Sequence, residues 1–224
     1  VHQFDTIILS NERSASEGNL IGHKNGANVN HQYSKSFDFE QAFQAFLISE
    51  MDKDLAYFSL LRSLSELQIA QNFAKTDIYD NAFTSCNKAF KINEKSDRQW
   101  CGHCPKCFFV FLMLATAMPL KRLETIFGQN LFADDQNLEG FKELVGLTDN
   151  KPWECVGEFK ESATAFIYLS QQETYKDLPI VQKMAALLPM SDYEYMKAYE
   201  DYFTPASQHA IPSQFKEKLD AYIR

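Results

Sequence analysis

The sequence has no apolar run long enough to cross a bilayer. Its longest, Phe108–Ala115, extends only to Met118 when Thr116 is allowed within it, whereas a spanning helix needs about 20 apolar residues. No membrane association is expected. A surplus of positive charge is also missing: Lys and Arg total 22 against 30 Asp and Glu, a formal net charge of −8. Such a surface repels phosphate backbones, which removes nucleic acid as a first reading. The opening VHQFDTIILS has neither the charged n-region nor the cleavage signature of an export signal. A cytoplasmic setting is expected, and there thiols stay reduced. Internal repeats and low-complexity tracts are absent too. What remains is a chain of 224 residues, 45% apolar, able to build a core without covalent staples.

The chain starts at Val1 rather than Met and runs almost at once into Asp5-Thr6-Ile7-Ile8-Leu9-Ser10, a stretch of strand character. One residual strand cannot bury both of its faces alone, so the chain is expected to be a piece of something longer. A polar segment, Ser10 to Ser36, follows and reads as a single long loop. Loops of that length are usually functional or disordered. This one is rich in binding groups: Glu12, Arg13, Asn19, Asn28, Asn30, His31, Tyr33 and Lys35.

From Asp38 onward helical spacing takes over. Phe39, Phe43, Phe46 and Leu47 define a first helix, and Leu55, Phe58, Leu61, Leu64, Leu67 and Ile69 a longer second one, with Asp38 and Asp54 as caps. The segment from Ala82 to Ile92 reads as irregular. A third helix runs from Cys104 to about Met118 with Pro105 in its first turn. A short helix ends at Gly128, and further helices are expected near 137–146, 158–172, 178–188, 191–203 and 212–223. The fold class is therefore mostly α. The tyrosines of the 191–203 segment read as core or interface packing rather than as a cofactor site.

Four of the five cysteines follow the pattern Cys86-x14-Cys101-x2-Cys104-x2-Cys107. Four thiolates close a tetrahedron around Zn²⁺ when the backbone turns tightly between them, and the two-residue spacings with Gly102 allow that. The helix starting near Cys104 adds its positive end, which favours thiolate over thiol. Iron–sulfur clusters also use cysteines two residues apart, often with a following proline, though here Pro105 follows Cys104 rather than the last cysteine. A redox pair would leave two cysteines unexplained. His103 lies between ligands, and with four sulfurs filling the shell it reads as a solvated or capping histidine.

SC followed by CGHCPKC is similar to the C-terminal zinc knuckle of PP-loop ATP pyrophosphatases, the deazaguanine synthetases of queuosine biosynthesis included. More closely, SNERSASEGN, VNHQYSKS, WCGHCPKCFFVFL, IFGQNLF and KPWECVGE together resemble the ATP-dependent UDP-N-acetylmuramoyl-L-alanyl-L-glutamate epimerases of peptidoglycan synthesis. The resemblance covers residues 10 to 158. It implies the C-terminal part of a doubly wound α/β enzyme of PP-loop type: residues 1–118 would be the remnant of a substrate and nucleotide domain with a structural zinc knuckle, and 119–224 a helical region. It also implies a substrate, the UDP-linked muramoyl dipeptide, and a co-substrate, ATP with Mg²⁺. ATP adenylates the glutamyl carboxylate, the α-carbon is inverted, and AMP and pyrophosphate leave. Such enzymes cradle pyrophosphate with a Ser-Gly-Gly-x-Asp-Ser loop, yet no two glycines are adjacent here. The loop is therefore expected in an upstream nucleotide-binding domain. Alternatives are another adenylating PP-loop enzyme, or a non-catalytic zinc-knuckle module that binds a protein. No pyridoxal phosphate is implied.

Epimerisation needs an acid or base on each face of the α-carbon. His31 titrates near neutrality and is one candidate. Lys35 suits a clamp on phosphate or carboxylate better than a base. Cys155, ahead of a helix beginning near Glu158, is an acid/base candidate, the plainer reading being a small buried residue beside Trp153. Glu158 and Glu161 are spaced to share one helix face. On the substrate side stand Glu12 and Arg13, just past the strand where open α/β sheets bind ligands, with Asn30 and Ser36. The metal ligands are Cys86, Cys101, Cys104 and Cys107.

Overall fold

The computed structural model describes residues 4–18, 20–22, 28–51, 55–89, 98–149, 151–188 and 191–223. Among these, four strands occur: β1 (Thr6–Leu9), β2 (Leu20–Gly22), β3 (Asn28–Asn30) and β4 (Ala56–Ser59). The helices are α1 (Phe37–Met51), α2 (Glu66–Ala74), α3 (Pro105–Ala115), α4 (Leu120–Phe127), α5 (Leu138–Leu144), α6 (Phe159–Ser170), α7 (Pro179–Leu187), α8 (Asp192–Tyr202) and α9 (Ser213–Ile223). The protein is mostly helical, as expected. It divides into two compact units, Val1–Glu66 with Thr204–Arg224, and Leu67–Phe203.

In the first unit the expectation of one residual strand fails. β1 pairs in parallel with β4, Thr6 opposite Ala56 and Leu9 opposite Ser59. The apolar spacing from Leu55 to Ile69 reads as one helix, but two elements share it. Ala56 N–H donates to Asp5 O at 2.9 Å and Leu60 N–H to Leu9 O at 2.9 Å, so strand pairing meets the backbone's hydrogen-bonding need before helix can. Tyr57 and Phe58 suit a pleated surface. Only from Glu66 does the chain become helical.

The far edge of β4 is covered by one side chain. Gln44 Nε2 donates to Leu55 O at 2.9 Å, and Gln44 Oε1 accepts from Tyr57 N–H at 2.5 Å. An amide thus replaces a neighbouring strand and blunts that edge. α1 packs on β4 through Phe43 and Tyr57, ring centroids 4.8 Å apart. Its cap is Ser36, whose Oγ accepts from Phe39 N–H at 3.1 Å, in the usual N-cap manner. Asp38, expected there, lies inside the first turn, and Asp54 lies outside the described residues. The expected apolar face is split: Leu47 is buried while Phe46 is 56% exposed. The segment read as one loop is interrupted by single 3₁₀ turns, Arg13–Ser16 and Tyr33–Lys35, and by the antiparallel β2–β3 pair. α9 closes the unit through Phe215 against Phe58, 5.1 Å between centroids.

The second unit is built around α3. Pro105 occupies its first turn, where the missing N–H costs nothing, and Cys104 is the N-cap residue in extended conformation. Phe111 and Leu112 are fully buried on this helix. Phe111 meets Phe132 edge-on at 4.9 Å, and Phe132 meets Phe141 at 5.3 Å and Phe166 at 5.9 Å. Each such ring contributes about 1.5–3 kcal/mol through burial. α4 stops at Gly128, whose φ of 73° is a left-handed cap open to glycine. Tyr175 O–H donates to Met118 O at 2.6 Å, and burial pushes the Tyr175 pKa up. Tyr168 of α6 stacks on Tyr199 of α8 at 4.2 Å. Tyr195 and Tyr202 are buried, whereas Tyr193 is exposed.

Candidate functional site

The four patterned cysteines converge in the second unit. Cys104 and Cys107 sit one turn apart at the start of α3. Gly102, at φ +75°, reverses the chain so that Cys101 joins them. Cys86 comes from a separate segment. That segment is anchored by Thr84, whose Oγ1 donates to Gln99 O at 2.6 Å and accepts from Cys86 N–H at 3.1 Å. All four Sγ atoms lie within 4.8 Å of one another. The separations are 3.8 Å for Cys86–Cys104, 3.7 Å for Cys101–Cys107 and 3.5 Å for Cys104–Cys107. A disulfide would need sulfurs at about 2.05 Å. A tetrahedron with metal–sulfur bonds of about 2.3 Å has edges of about 3.8 Å, so the thiols are spaced to hold one ion.

Hydrogen bonding and burial tune the set. Cys101 N–H donates to Cys86 Sγ and His103 N–H to Cys101 Sγ, each at 3.4 Å. Backbone donors of this kind stabilise thiolate charge. The hydrogen bond between Cys104 and Cys107 pushes the Cys104 pKa down to about 4 and, with burial, pushes Cys107 up. Burial pushes Cys101 up. A bound cation would hold all four deprotonated. His103 is exposed and lies outside the four-sulfur set. Trp100, next to Cys101 in the chain, is buried against Phe127, 4.6 Å between centroids.

The Cys155 segment is tied to this knuckle. Lys106, between two of the cysteines, donates its Nζ to Cys155 O, and Asn87 Nδ2 donates to Glu154 Oε1 at 3.4 Å. Cys155 is half-buried, and Trp153 is 62% exposed. Glu158 is the N-cap residue of α6, and its Oε2 accepts from Tyr202 O–H at 3.2 Å. Glu161 turns elsewhere. It is buried, and its Oε1 accepts from Leu67 N–H at 2.9 Å, supplying a partner that the first turn of α2 lacks within its own helix.

The remaining candidates belong to the first unit. Glu12 precedes the Arg13–Ser16 turn, and its Oε1 accepts from Ser14 Oγ at 2.7 Å. Asn30 Nδ2 donates to Ser16 O at 3.0 Å while its Oδ1 accepts from Gln32 N–H at 2.8 Å. Ser16 Oγ in turn accepts from Phe37 N–H at 3.1 Å. Ser36 is buried and donates to Tyr33 O at 2.7 Å. The Glu12–Arg13 and Asn30–Ser36 segments are therefore bound side by side. His31 is half-buried and Lys35 exposed. Sequence reading missed Arg62, which donates to Glu12 O and Lys35 O and so joins both segments. A lone cation within the apolar stretch FSLLRSLSELQI was the available signal.

Residues 82–198, which hold the four thiols, fit the model of the MurL C-terminal domain, and residues 1–60, in the first unit, fit that of the MurL N-terminal domain. The chain belongs to the MurL epimerase family. It is 43% identical over 219 residues, 98% of its length, to a Micromonospora protein named UDP-N-acetyl-alpha-D-muramoyl-L-alanyl-L-glutamate epimerase. Proteins of the same name from Salinispora tropica and Xanthomonas oryzae pv. oryzae are 43% identical over 95% and 97% of the chain. The chain spans about half the length of these curated relatives, 48%, 46% and 48% respectively. No solved structure matches it. Among the described residues no helix is long and apolar enough to cross a membrane.

Proposed function

We propose that this chain is the metal-bearing part of a cytoplasmic, ATP-dependent epimerase that inverts the terminal L-glutamate of UDP-MurNAc-L-Ala-L-Glu. The identity of 43% along nearly the whole chain to proteins of that name carries the reading. The chemistry has a physical reason. A carboxylate opposes a second negative charge on the neighbouring carbon. Joining it to the α-phosphate of ATP, with pyrophosphate as leaving group, removes that charge and lets the electron pair left by the Cα proton delocalise as an enolate. A proton returned to the opposite face inverts the centre, and hydrolysis of the acyl adenylate releases AMP and makes the sequence downhill.

Cys155, His31, Lys35 and Glu158 are the residues we assign to proton transfer and charge handling. The Tyr202 hydroxyl on Glu158 would hold that carboxylate in one orientation. Glu12, Arg13, Asn30 and Ser36 are assigned to the substrate, the last two by fixing the segment's shape. ATP with Mg²⁺ is assigned to a nucleotide-binding domain of PP-loop type, in a doubly wound sheet to which β1 and β4 belong. Because Gln44 occupies the far edge of β4, further strands would add beside β1, whose Ile7 and Ile8 are exposed. The cysteines fit a structural Zn²⁺, which ties the Cys86 segment to α3. An iron–sulfur cluster spreads its cysteines over several irons, and sulfurs within 4.8 Å of one another suit a single ion better. Neither nucleic acid nor membrane is assigned as a partner.

The test uses the full-length protein with ATP and the L-Ala-L-Glu nucleotide in D₂O. Deuterium at the glutamyl α-carbon together with AMP is the expected result. Absence of both rejects the reading. Cys155→Ala is expected to abolish α-deuteration while leaving metal content unchanged.

A further inference from the structure

Arg62 lies just past the end of β4, and Glu12 just past the end of β1. Those are the carboxyl ends of two parallel strands, where open α/β sheets bind ligands. Arg62 and Glu40 are each only 2% exposed at the side chain. Glu40 sits in the first turn of α1, where its charge complements the helix N-terminus. The guanidinium distributes its donors over four groups. Nη1 donates to Glu12 O at 2.9 Å, Nη2 to Lys35 O at 2.8 Å, and Nη2 and Nε to Glu40 Oε2 at 3.0 and 3.3 Å. A longer contact reaches Ser59 Oγ at 3.5 Å.

Burying two charges is costly, and a hydrophobic pair of equal volume often stabilises a fold as well or better. What the apolar pair lacks is a planar fork that fixes two carbonyls and a carboxylate in one rigid geometry. The carbonyls belong to Glu12 and Lys35, one from each segment assigned to the substrate. We infer that Arg62, anchored by Glu40, is a positioning residue: it sets the spacing of the Glu12–Arg13 and Asn30–Ser36 segments and thereby the fit of the muramoyl dipeptide. This rests on the proposed epimerase reading.

Glu40 Oε1 makes no hydrogen bond, so removing Arg62 alone would strand a buried carboxylate. The decisive variant is therefore the neutral pair Arg62→Met with Glu40→Gln in the full-length protein, with Arg62→Lys as the conservative partner. Both are expected to fold with metal content near wild type. The pair should have a lowered melting temperature because the Glu12 and Lys35 carbonyls lose their donor, so kinetics are read on the folded protein. For the pair, kcat/KM for the muramoyl dipeptide should fall about 100-fold, the cost of displacing a bound group by about 1 Å. The loss should appear in KM for that substrate and, through the displaced His31 and Lys35, in kcat, with KM for ATP unchanged. Arg62→Lys should recover part of it. Amide exchange should quicken at Ser14–Glu17 and Lys35–Ser36 and stay slow in α3 and α6. Folded variants with wild-type KM, or a loss that tracks only the folded fraction, overturn the inference while leaving the epimerase intact. A wild-type protein that incorporates no α-deuterium removes the reading and the inference together.

Discussion

Cys86 Sγ lies 3.8 Å from Cys104 Sγ although eighteen positions separate the two residues. Such closeness between reduced, buried thiols asks for a cation to hold the charge once they ionise. Purified protein is expected to carry one equivalent of zinc by elemental analysis. Cys86→Ser should remove most of that metal and lower the melting temperature, by roughly 2–4 °C for each kcal/mol lost in a protein of this size. A chelator at neutral pH should reproduce the shift. Full metal occupancy in Cys86→Ser would remove Cys86 from the ligand set.

Gly102 turns the chain between Cys101 and Cys104 at φ +75°. An L-residue there costs about 1–2 kcal/mol in backbone strain, and its Cβ would also meet the Gln129 side chain at 1.8 Å. Gly102→Ala is expected to weaken zinc retention in a competition titration with a colorimetric chelator. An unchanged affinity would show that the knuckle does not require the left-handed turn.

Glu161 supplies the Leu67 N–H with its acceptor across 94 positions of sequence. Glu161→Ala leaves that buried donor unmet, which should cost about 1–3 kcal/mol. The measurement is denaturant unfolding of the purified chain, and a midpoint equal to wild type would contradict the capping role.

His209 accepts from Ile211 N–H at Nδ1, 3.2 Å away, which requires a neutral ring. Burial first, then the Lys216 charge, pushes its pKa below the ordinary histidine value, opposed by Asp220 and Glu40. The folded pKa lies below the unfolded one, so the contribution to stability is present above the unfolded value of about 6.5 and is lost as pH falls through the folded value. Thermal melts from pH 8 to pH 5 should decline more steeply for wild type than for His209→Asn. Parallel curves would exclude His209 as a source of acid sensitivity.

Much of the second unit was legible in the sequence. Pro105 and Gly128 mark helix ends by backbone chemistry, and the apolar run after Cys107 could only be a buried helix. The first unit was not. Leu55, Phe58, Leu61 and Leu64 keep helical spacing, but Asp5 O and Leu9 O were waiting for donors from Ala56 and Leu60, and pairing between distant segments outweighed local period. Asp38 looked like a cap, while Ser36, with a hydroxyl that both donates to Tyr33 O and accepts from Phe39 N–H, fits the geometry better.

The sequence by itself determined a predominantly helical chain, four thiols at metal-ligand spacing and the motifs of its family, because each depends on neighbours in the chain or on residue type. Only the tertiary structure decided the rest. It brought Cys86 to the knuckle, gave Glu161 to α2, and placed Arg62 between the carbonyls of Glu12 and Lys35. Those outcomes rest on satisfying buried donors and charges with partners far along the chain, and no local pattern encodes which partner a buried group will find.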